Sequence, residues 1–233
     1  LIIAATAGEE SSGPNGLNSL LKDLPNIDVA IVGEPTQMQF AIAEKGLVVF
    51  DAVVKGTAGH AAHPNNDNPI LKSMDVMQWF QNLQFDKVSD TLGPVKLTIT
   101  QINAGSQHNV VPSQVNLVLD VRVNEYYTNQ EIADIVSQAP CEVTPRSLRL
   151  QSSSIEKEHP LVVAGIAMGR NTYGSPTLSD QAALSCPSLK LGPGDSTRSH
   201  TADEFIYTDE IKEALRLYIC LLYTSDAADE SVC

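Results

Sequence analysis

Leu1-Ile2-Ile3-Ala4-Ala5-Thr6-Ala7-Gly8-Glu9-Glu10 is an apolar run that stops at a glycine and two adjacent carboxylates. Its shortness and its abrupt end predict a strand buried on both faces, of the kind found in a parallel sheet covered by helices. Ligands of such sheets sit beyond the carboxyl ends of the strands. Glu9 and Glu10 would share that edge and repel each other, more strongly where water is excluded, unless a cation or a shared proton relieves them. A metal site is one explanation; a solvated loop that opens on two acids is the other.

Working outward, the same pattern recurs. Ser11-Ser12-Gly13-Pro14-Asn15-Gly16 is turn chemistry, and Leu17, Leu20, Leu21 and Leu24 mark a short amphipathic helix that Pro25 ends. Asp28-Val29-Ala30-Ile31-Val32 is a second buried strand, stopping at Gly33 before Glu34 and Pro35. Towards the other end come a helix over 161–170, a turn at Thr177-Leu178-Ser179-Asp180, and a third strand, Ser188-Leu189-Lys190-Leu191. That strand runs into Gly192-Pro193-Gly194 and a loop carrying His200. Ile211, Ala214, Leu215, Tyr218 and Leu222 define the apolar face of a terminal helix. Residues 223–233 fit no period and read as a non-native tail, adapter sequence translated past the end of the gene, so they are left out of the fold.

Between these segments the style changes. Leu47, Val49, Ala52 and Val54 give a longer strand over 46–55, and a small-residue loop, Gly56 to Pro64, follows. Asn68-Pro69 suits the cap and first position of a helix reaching about residue 83, with Ile70, Met74, Met77 and Phe80 expected inside. Strands over 95–102 and 115–123 flank a loop, Thr128 caps a helix to 137, and 148–150 is a last short strand. Strand, helix, strand, strand, helix, strand is the ferredoxin-like unit. The expected architecture is therefore α/β: an outer domain over 1–44 and 154–222, split by an inserted α+β domain over 45–153.

The chain has 233 residues, 42% of them hydrophobic, enough for a substantial core. A formal charge of -13 argues against nucleic acid or an anionic membrane as partner, since both are bound largely through Lys and Arg. Cys141, Cys186, Cys220 and Cys233 lack metal-type spacing and are expected to be reduced thiols. No apolar run approaches ~18 residues and no signal peptide precedes the first strand, so a soluble cytoplasmic protein is expected. The chain opens without Met inside a predicted strand, and a fragment lacking its N-terminal part is expected.

Three strand ends would deliver Glu9 with Glu10, Glu34, and His200 to one sheet edge. Zn(II) takes carboxylate oxygen and imidazole nitrogen readily. The spacings span the whole chain and form no compact signature, so they leave the metal open.

Five motifs occur here in the order seen in one family: Ala5-Thr6-Ala7-Gly8-Glu9-Glu10, Val32-Gly33-Glu34-Pro35-Thr36, Gly59-His60-Ala61-Ala62-His63-Pro64, Asn109-Val110-Val111-Pro112, and Gly192-Pro193-Gly194 through His200. They resemble the dinuclear-zinc deacylases and exopeptidases that include acetylornithine deacetylase and succinyl-diaminopimelate desuccinylase. Residues 192–206 are most similar to the acetylornithine deacetylase branch. The resemblance implies a zinc-exopeptidase-like catalytic domain, an inserted lid that dimerises, and two zinc ions per full-length subunit, with cobalt or manganese as alternatives. It implies that Glu9 is the general base toward the metal-bridging water, that Glu10 and His200 ligate one metal, and that Glu34 ligates the other. It implies that His60 stabilises the oxyanion in the partner subunit's site, and that Arg122 pairs with the substrate carboxylate. Asn109 and Ser179 become candidates for substrate hydrogen bonds. The alternatives are a loop histidine with no role for His60 and a surface strand arginine for Arg122.

The family also uses a histidine and a bridging aspartate from strands upstream of residue 1, which this chain does not carry. The chain as given is therefore expected to be inactive and to bind zinc poorly, and its full-length parent to be active. The implied reaction is metal-dependent hydrolysis of an N-acyl amino acid, N-acetyl- or N-succinyl-ornithine or N-acetylcitrulline in arginine biosynthesis. Desuccinylation of diaminopimelate or peptide cleavage is the alternative, and a non-catalytic dimerisation protein is the reading from another class.

Overall fold

A computed structural model describes residues 1–8 and 15–226. In chain order the first half comprises α1 (Leu17–Leu21), β1 (Ala30–Val32), β2 (Phe40–Glu44), β3 (Gly46–Lys55), β4 (Gly59–His60), α2 (Pro69–Asn82), β5 (Lys96–Ala104) and β6 (Val110–Val111). The second half comprises β7 (Gln114–Val123), α3 (Asn129–Val136), β8 (Glu142–Pro145), β9 (Ser153–Ser154), α4 (Pro160–Ala167), β10 (Thr172–Ser175), β11 (Ser188–Lys190) and α5 (Thr208–Asp226). Single 3-10 turns lie at Asp180–Ala183 and Ser196–Arg198. The chain divides into an inserted unit, Gly46–Ser152, and an outer unit made of Leu1–Lys45 and the chain from Ser153 on. Among the described residues no helix is long and apolar enough to cross a membrane.

The outer unit is a mixed sheet in the order β1-β11-β2-β10, with β9 paired to β2. β1 and β11 run parallel, Ala30 opposite Ser188 and Val32 opposite Lys190, so both deliver their following loops to the same edge. The strand at the centre, β2, is buried at all five positions and was not read from the sequence, where Phe40-Ala41-Ile42-Ala43 is too short to show a period. Phe40 and Ile42 pack with Leu161, Val162, Leu189, Leu191, Ala214, Leu217 and Leu221. α4 lies so close that a Cβ on Gly165 would come within 2.3 Å of the Phe40 ring, and only glycine fits there.

Several expectations are corrected. Residues 1–8 form no strand, and Leu1 and Ile3 are 96% and 87% exposed. An apolar run becomes a buried strand only where neighbours take up its N–H and C=O groups, and the sheet takes this run at neither edge. The buried face of α5 is Ala214, Leu217 and Leu221, while Ile211, Leu215 and Leu222 point outward. The helix also continues past residue 222 to Asp226; the remainder of the expected tail, 227–233, lies outside the described residues. Cys141 and Cys186 are free thiols, but Cys220 is disulfide-bonded, against the reading of all four as reduced.

The inserted unit has an antiparallel sheet in the order β5-β7-β3-β8, the ferredoxin-like arrangement expected from its element order. Its core joins Val48, Phe50, Ala52 and Val54 of β3 to alternate residues of β7, to Val76 and Phe80 of α2, and to Ile132 and Val136 of α3. Asn68 Oδ1 accepts the Ile70 N–H at 2.9 Å, with Pro69 at the first position. Thr128 and Glu131 form a reciprocal capping box, Thr128 Oγ1 accepting the Glu131 N–H and Glu131 Oε2 the Thr128 N–H. The last strand is β8 rather than 148–150, which is coil. The buried face of α2 is Pro69, Ser73, Val76 and Phe80, with Ile70 and Met74 exposed. Ser73 can face inward because its hydroxyl donates to the Ile70 carbonyl at 2.7 Å, and a polar group so satisfied costs little to bury.

Candidate functional site

Beyond the paired ends of β1 and β11 the two following loops are stitched together. Leu191 N–H donates to Val32 C=O at 3.0 Å, Thr36 N–H to Gly192 C=O at 3.2 Å and Met38 N–H to the same carbonyl at 3.0 Å. The Gly192 N–H returns to Thr36 Oγ1 at 3.2 Å, and Gln37 N–H reaches Gly194 C=O at 2.8 Å. Gln37 Nε2 then donates to Asp195 Oδ2 at 2.5 Å. Gly192 has no room for a side chain, since a Cβ there would sit 2.5 Å from the Glu34 carbonyl oxygen. These contacts fix the backbone on either side of Glu34 against the loop that leads to His200. Glu34 also makes its charge felt on β10, where burial first and that carboxylate second push the Tyr173 hydroxyl above its usual range.

His200 stands past the Ser196–Arg198 turn with φ +58°, a left-handed backbone that histidine adopts more readily than most residues. Asp195 caps the turn, accepting from the Thr197 N–H at 2.9 Å and the Thr197 hydroxyl at 2.8 Å, and those bonds hold its carboxyl below the usual range. The His200 N–H donates to Glu204 Oε2 at 3.3 Å. Arg198 forks onto Glu210, Nη1 to Oε2 at 2.8 Å and Nη2 to Oε1 at 3.0 Å, and lies 5.0 Å from the ring centres of both Phe205 and Tyr207.

Ser179 is buried, caps the Asp180–Ala183 turn and donates its hydroxyl to Glu44 Oε2 at 2.8 Å. Glu44 in turn faces Lys190 Nζ at 2.9 Å, both side chains almost wholly out of solvent. The Lys190 ammonium also donates to Ser175 Oγ, Thr177 C=O and Thr177 Oγ1. Its neighbour in the turn, Asp180, accepts from Thr6 Oγ1 at 3.3 Å, which brings the stretch leading to Glu9 beside this turn. Glu9 and Glu10 themselves lie outside the described residues.

In the inserted unit the structure brings two candidates together across 49 positions of sequence. His60 pairs with Val110 in the β4–β6 ribbon, and the Ala61 N–H donates to the Asn109 carbonyl at 2.9 Å. His60 Nδ1 accepts the Ala62 N–H at 3.1 Å, so the proton of the neutral ring sits on Nε2, available to an acceptor outside. Arg122 lies on β7 and its fork is taken by Asp120, Nε to Oδ1 at 2.8 Å and Nη2 to Oδ2 at 3.1 Å. The guanidinium is thus already held by a carboxylate of its own strand.

Comparison with known proteins adds to this geometry. Residues 42–142 match the model of a peptidase dimerisation domain. That match falls almost wholly within the inserted unit, Gly46–Ser152. The chain is 25% identical to succinyl-diaminopimelate desuccinylase 2 of a Ruegeria species, over 94% of this chain and 62% of that one. It superposes on aminopeptidase PepT of Bacillus cereus with TM-score 0.73 at 16% identity, covering 95% of this chain and 63% of that one. It superposes on a dinuclear metal-binding peptidase of the M20 family from Bacillus subtilis with TM-score 0.64, again at 16% identity over 95% of this chain and 63% of that one. The fold is that of the M20 peptidases, with their dimerisation domain inserted in an α/β unit. The chain spans about three fifths of the length of the curated relatives it matches.

Glu34 and His200 supply carboxylate and imidazole donors, the pair zinc accepts, on loops locked to each other. Among the described residues no three His, Cys, Asp or Glu side chains converge, and Glu10, the further expected ligand, is not among them. The residues the sequence did not reveal are those that hold the outer unit in shape: Gln37, Asp195, Arg198 with Glu210, and Glu44 with Lys190. Only Asp195 had a local signal, as Asp-Ser-Thr after a Gly-Pro-Gly turn reads as a cap.

Proposed function

We propose that the protein hydrolyses the amide bond of an N-acyl amino acid in a metal-dependent reaction. The observation that supports this reading is the hydrogen bonding between the loop after β1, which carries Glu34, and the loop after β11, which leads towards His200, in a fold shared with M20 peptidases. Glu10 and His200 would hold one metal and Glu34 the other, with Glu9 the general base. Bound zinc would supply an acidified water and a polarised carbonyl. His60, its proton directed to Nε2, donates to the oxygen that gains charge as the amide carbonyl is attacked. For Arg122 to bind a substrate carboxylate, that carboxylate must displace Asp120. The inserted unit joins two copies as a homodimer, and the protein acts in the cytoplasm.

Two groups of substrates compete. The desuccinylase relatives favour N-succinyl-diaminopimelate, and the likeness of residues 192–206 to the acetylornithine deacetylase branch favours N-acetylornithine or N-acetylcitrulline. The test is turnover of these substrates by the full-length protein before and after chelation. Activity on one of them that disappears with chelator, returns with zinc and falls at least 100-fold in Glu9→Gln supports the reading. Activity indifferent to chelator, or unchanged in Glu9→Gln, refutes it.

A further inference from the structure

We propose that Arg198 is the positioning residue for His200: its guanidinium, forked onto Glu210 and stacked against Phe205 and Tyr207, holds the loop that presents the imidazole. The proposal rests on the reading of His200 as a metal ligand.

A solvent-exposed ion pair is worth little, because water and salt screen it and two long side chains lose freedom. Arg198 and Glu210 differ from that case in three ways. Their side chains are only 21% and 28% exposed. The contact is two-pronged, which fixes orientation as well as distance. The Phe205 and Tyr207 rings, themselves edge to face at 5.2 Å, both lie against the guanidinium and shield it. The carboxylate has a second duty, since Glu210 Oε2 also accepts the Tyr207 N–H at 2.9 Å and so ties the start of α5 into the same cluster.

What this cluster anchors is short and strained. Thr201 Oγ1 donates to the Arg198 carbonyl at 2.7 Å, bending the chain back over itself at His200. The positive φ of His200, although histidine takes it more readily than most residues, still carries a cost that the surroundings must offset. The loop has two feet. Asp195 is fastened to Gln37 beside the Glu34 loop, and Arg198 is fastened to α5. Removal of the second foot leaves the imidazole on a chain that relaxes toward ordinary backbone angles, while the Glu34 side stays in place.

Residues that orient a metal ligand without touching the metal typically change metal affinity by about 10- to 100-fold when removed. The experiment uses the full-length protein and compares Arg198→Gln, Arg198→Lys, Phe205→Leu and His200→Ala. The readouts are Co(II) affinity, the Co(II) absorption spectrum, and hydrogen exchange over residues 195–204. Arg198→Gln is expected to speed exchange in that loop, weaken Co(II) binding by about 10- to 100-fold and alter the spectrum. Arg198→Lys keeps the charge and loses the fork, so it falls between. Phe205→Leu keeps the fork and loses one ring, and is expected to weaken binding by about 2- to 5-fold, which covers the case in which Arg198→Gln does not fold. Loop exchange and Co(II) affinity unchanged in Arg198→Gln, or in Phe205→Leu where that is the variant that folds, overturn the proposal. Co(II) affinity unchanged in His200→Ala instead overturns the metal-ligand reading and the role of Arg198 with it.

Discussion

Gln37 Nε2 donates to Asp195 Oδ2 at 2.5 Å, so the loop that carries Glu34 and the loop that leads to His200 are joined by side chains as well as by backbone. The join works only because Gly192 lets the two backbones meet.

Gly192→Ala therefore forces a rearrangement, because its Cβ would lie 2.5 Å from backbone rather than from a side chain that could turn away. Overpacking of this kind costs roughly 1–3 kcal/mol. The expected result is a lower urea midpoint for the outer unit and faster hydrogen exchange at Thr36 and Met38, whose N–H groups both donate to Gly192. A midpoint equal to wild type would mean that the loops are not held as described.

The exposed face of α2 bears on assembly. Ile70, Leu71 and Met74 are 43%, 62% and 62% exposed, and β5 is an edge strand with open backbone groups. A dimer through the inserted unit is expected to cover them. Met74→Lys should shift the protein toward monomer in light scattering without lowering its melting temperature, whereas Val76→Asp, on the buried face, should unfold the unit. A Met74→Lys protein that stays fully dimeric would place the interface elsewhere.

How far the sequence carried these conclusions depended on the range of the interactions. The α2 and α3 caps were readable because Asn68 and Thr128 bond to residues two and three positions away. The β1 and β11 strands were readable because each is an apolar run ended by glycine, and their parallel pairing sends the loops that follow them to one edge. Residues 1–8 failed because a strand is made by its neighbours, and no local pattern reports whether they take it up. β2 failed for the opposite reason: it is central, but five buried residues have no polar alternation to mark them. The helix faces of α2 and α5 were misjudged where hydrophobicity alone placed Ile70 and Ile211 inside, while the packing chose Ser73 and Leu217. Arg198 with Glu210, and Glu44 with Lys190, join residues 12 and 146 apart, and nothing in either residue's own surroundings announces its partner.

Glu34 and His200 should both matter to metal retention, and unequally. If each serves a different ion, His200→Ala and Glu34→Gln in the full-length protein should each lower bound zinc after dialysis, and the double variant should lower it further. Zinc retention equal to wild type in all three variants, measured by atomic absorption, would remove both residues from the ligand set. Tyr218 offers a control near the same edge: its hydroxyl donates to the Leu191 carbonyl and burial pushes it up to about 12, so Tyr218→Phe should reduce stability and leave zinc content alone.

The buried Glu44–Lys190 pair makes the sharpest stability prediction. Loss of either partner strands the other charge in the sheet, and such changes typically cost about 3–5 kcal/mol, while replacing both with apolar residues is often close to neutral. Lys190→Met alone should therefore depress the urea midpoint of the outer unit far more than Glu44→Met with Lys190→Met together. The pH dependence has a definite sign. Burial raises the Glu44 carboxyl above 4.5 despite the opposing pull of Lys190, so the folded protein holds a proton that the unfolded chain releases. Its contribution to stability is complete below 4.5 and is lost as pH rises through the elevated folded value. Carboxylates such as Asp195 and Glu210 are held low and act in the reverse sense, losing their contribution as pH falls, so the raw stability curve mixes both. The informative quantity is the difference between wild type and the double methionine variant, which keeps Asp195 and Glu210 and removes only the buried pair. That difference should shift in favour of the double variant as pH rises from 4.5, and a difference flat across this range would show that Glu44 is ionised throughout and that Lys190 outweighs its burial.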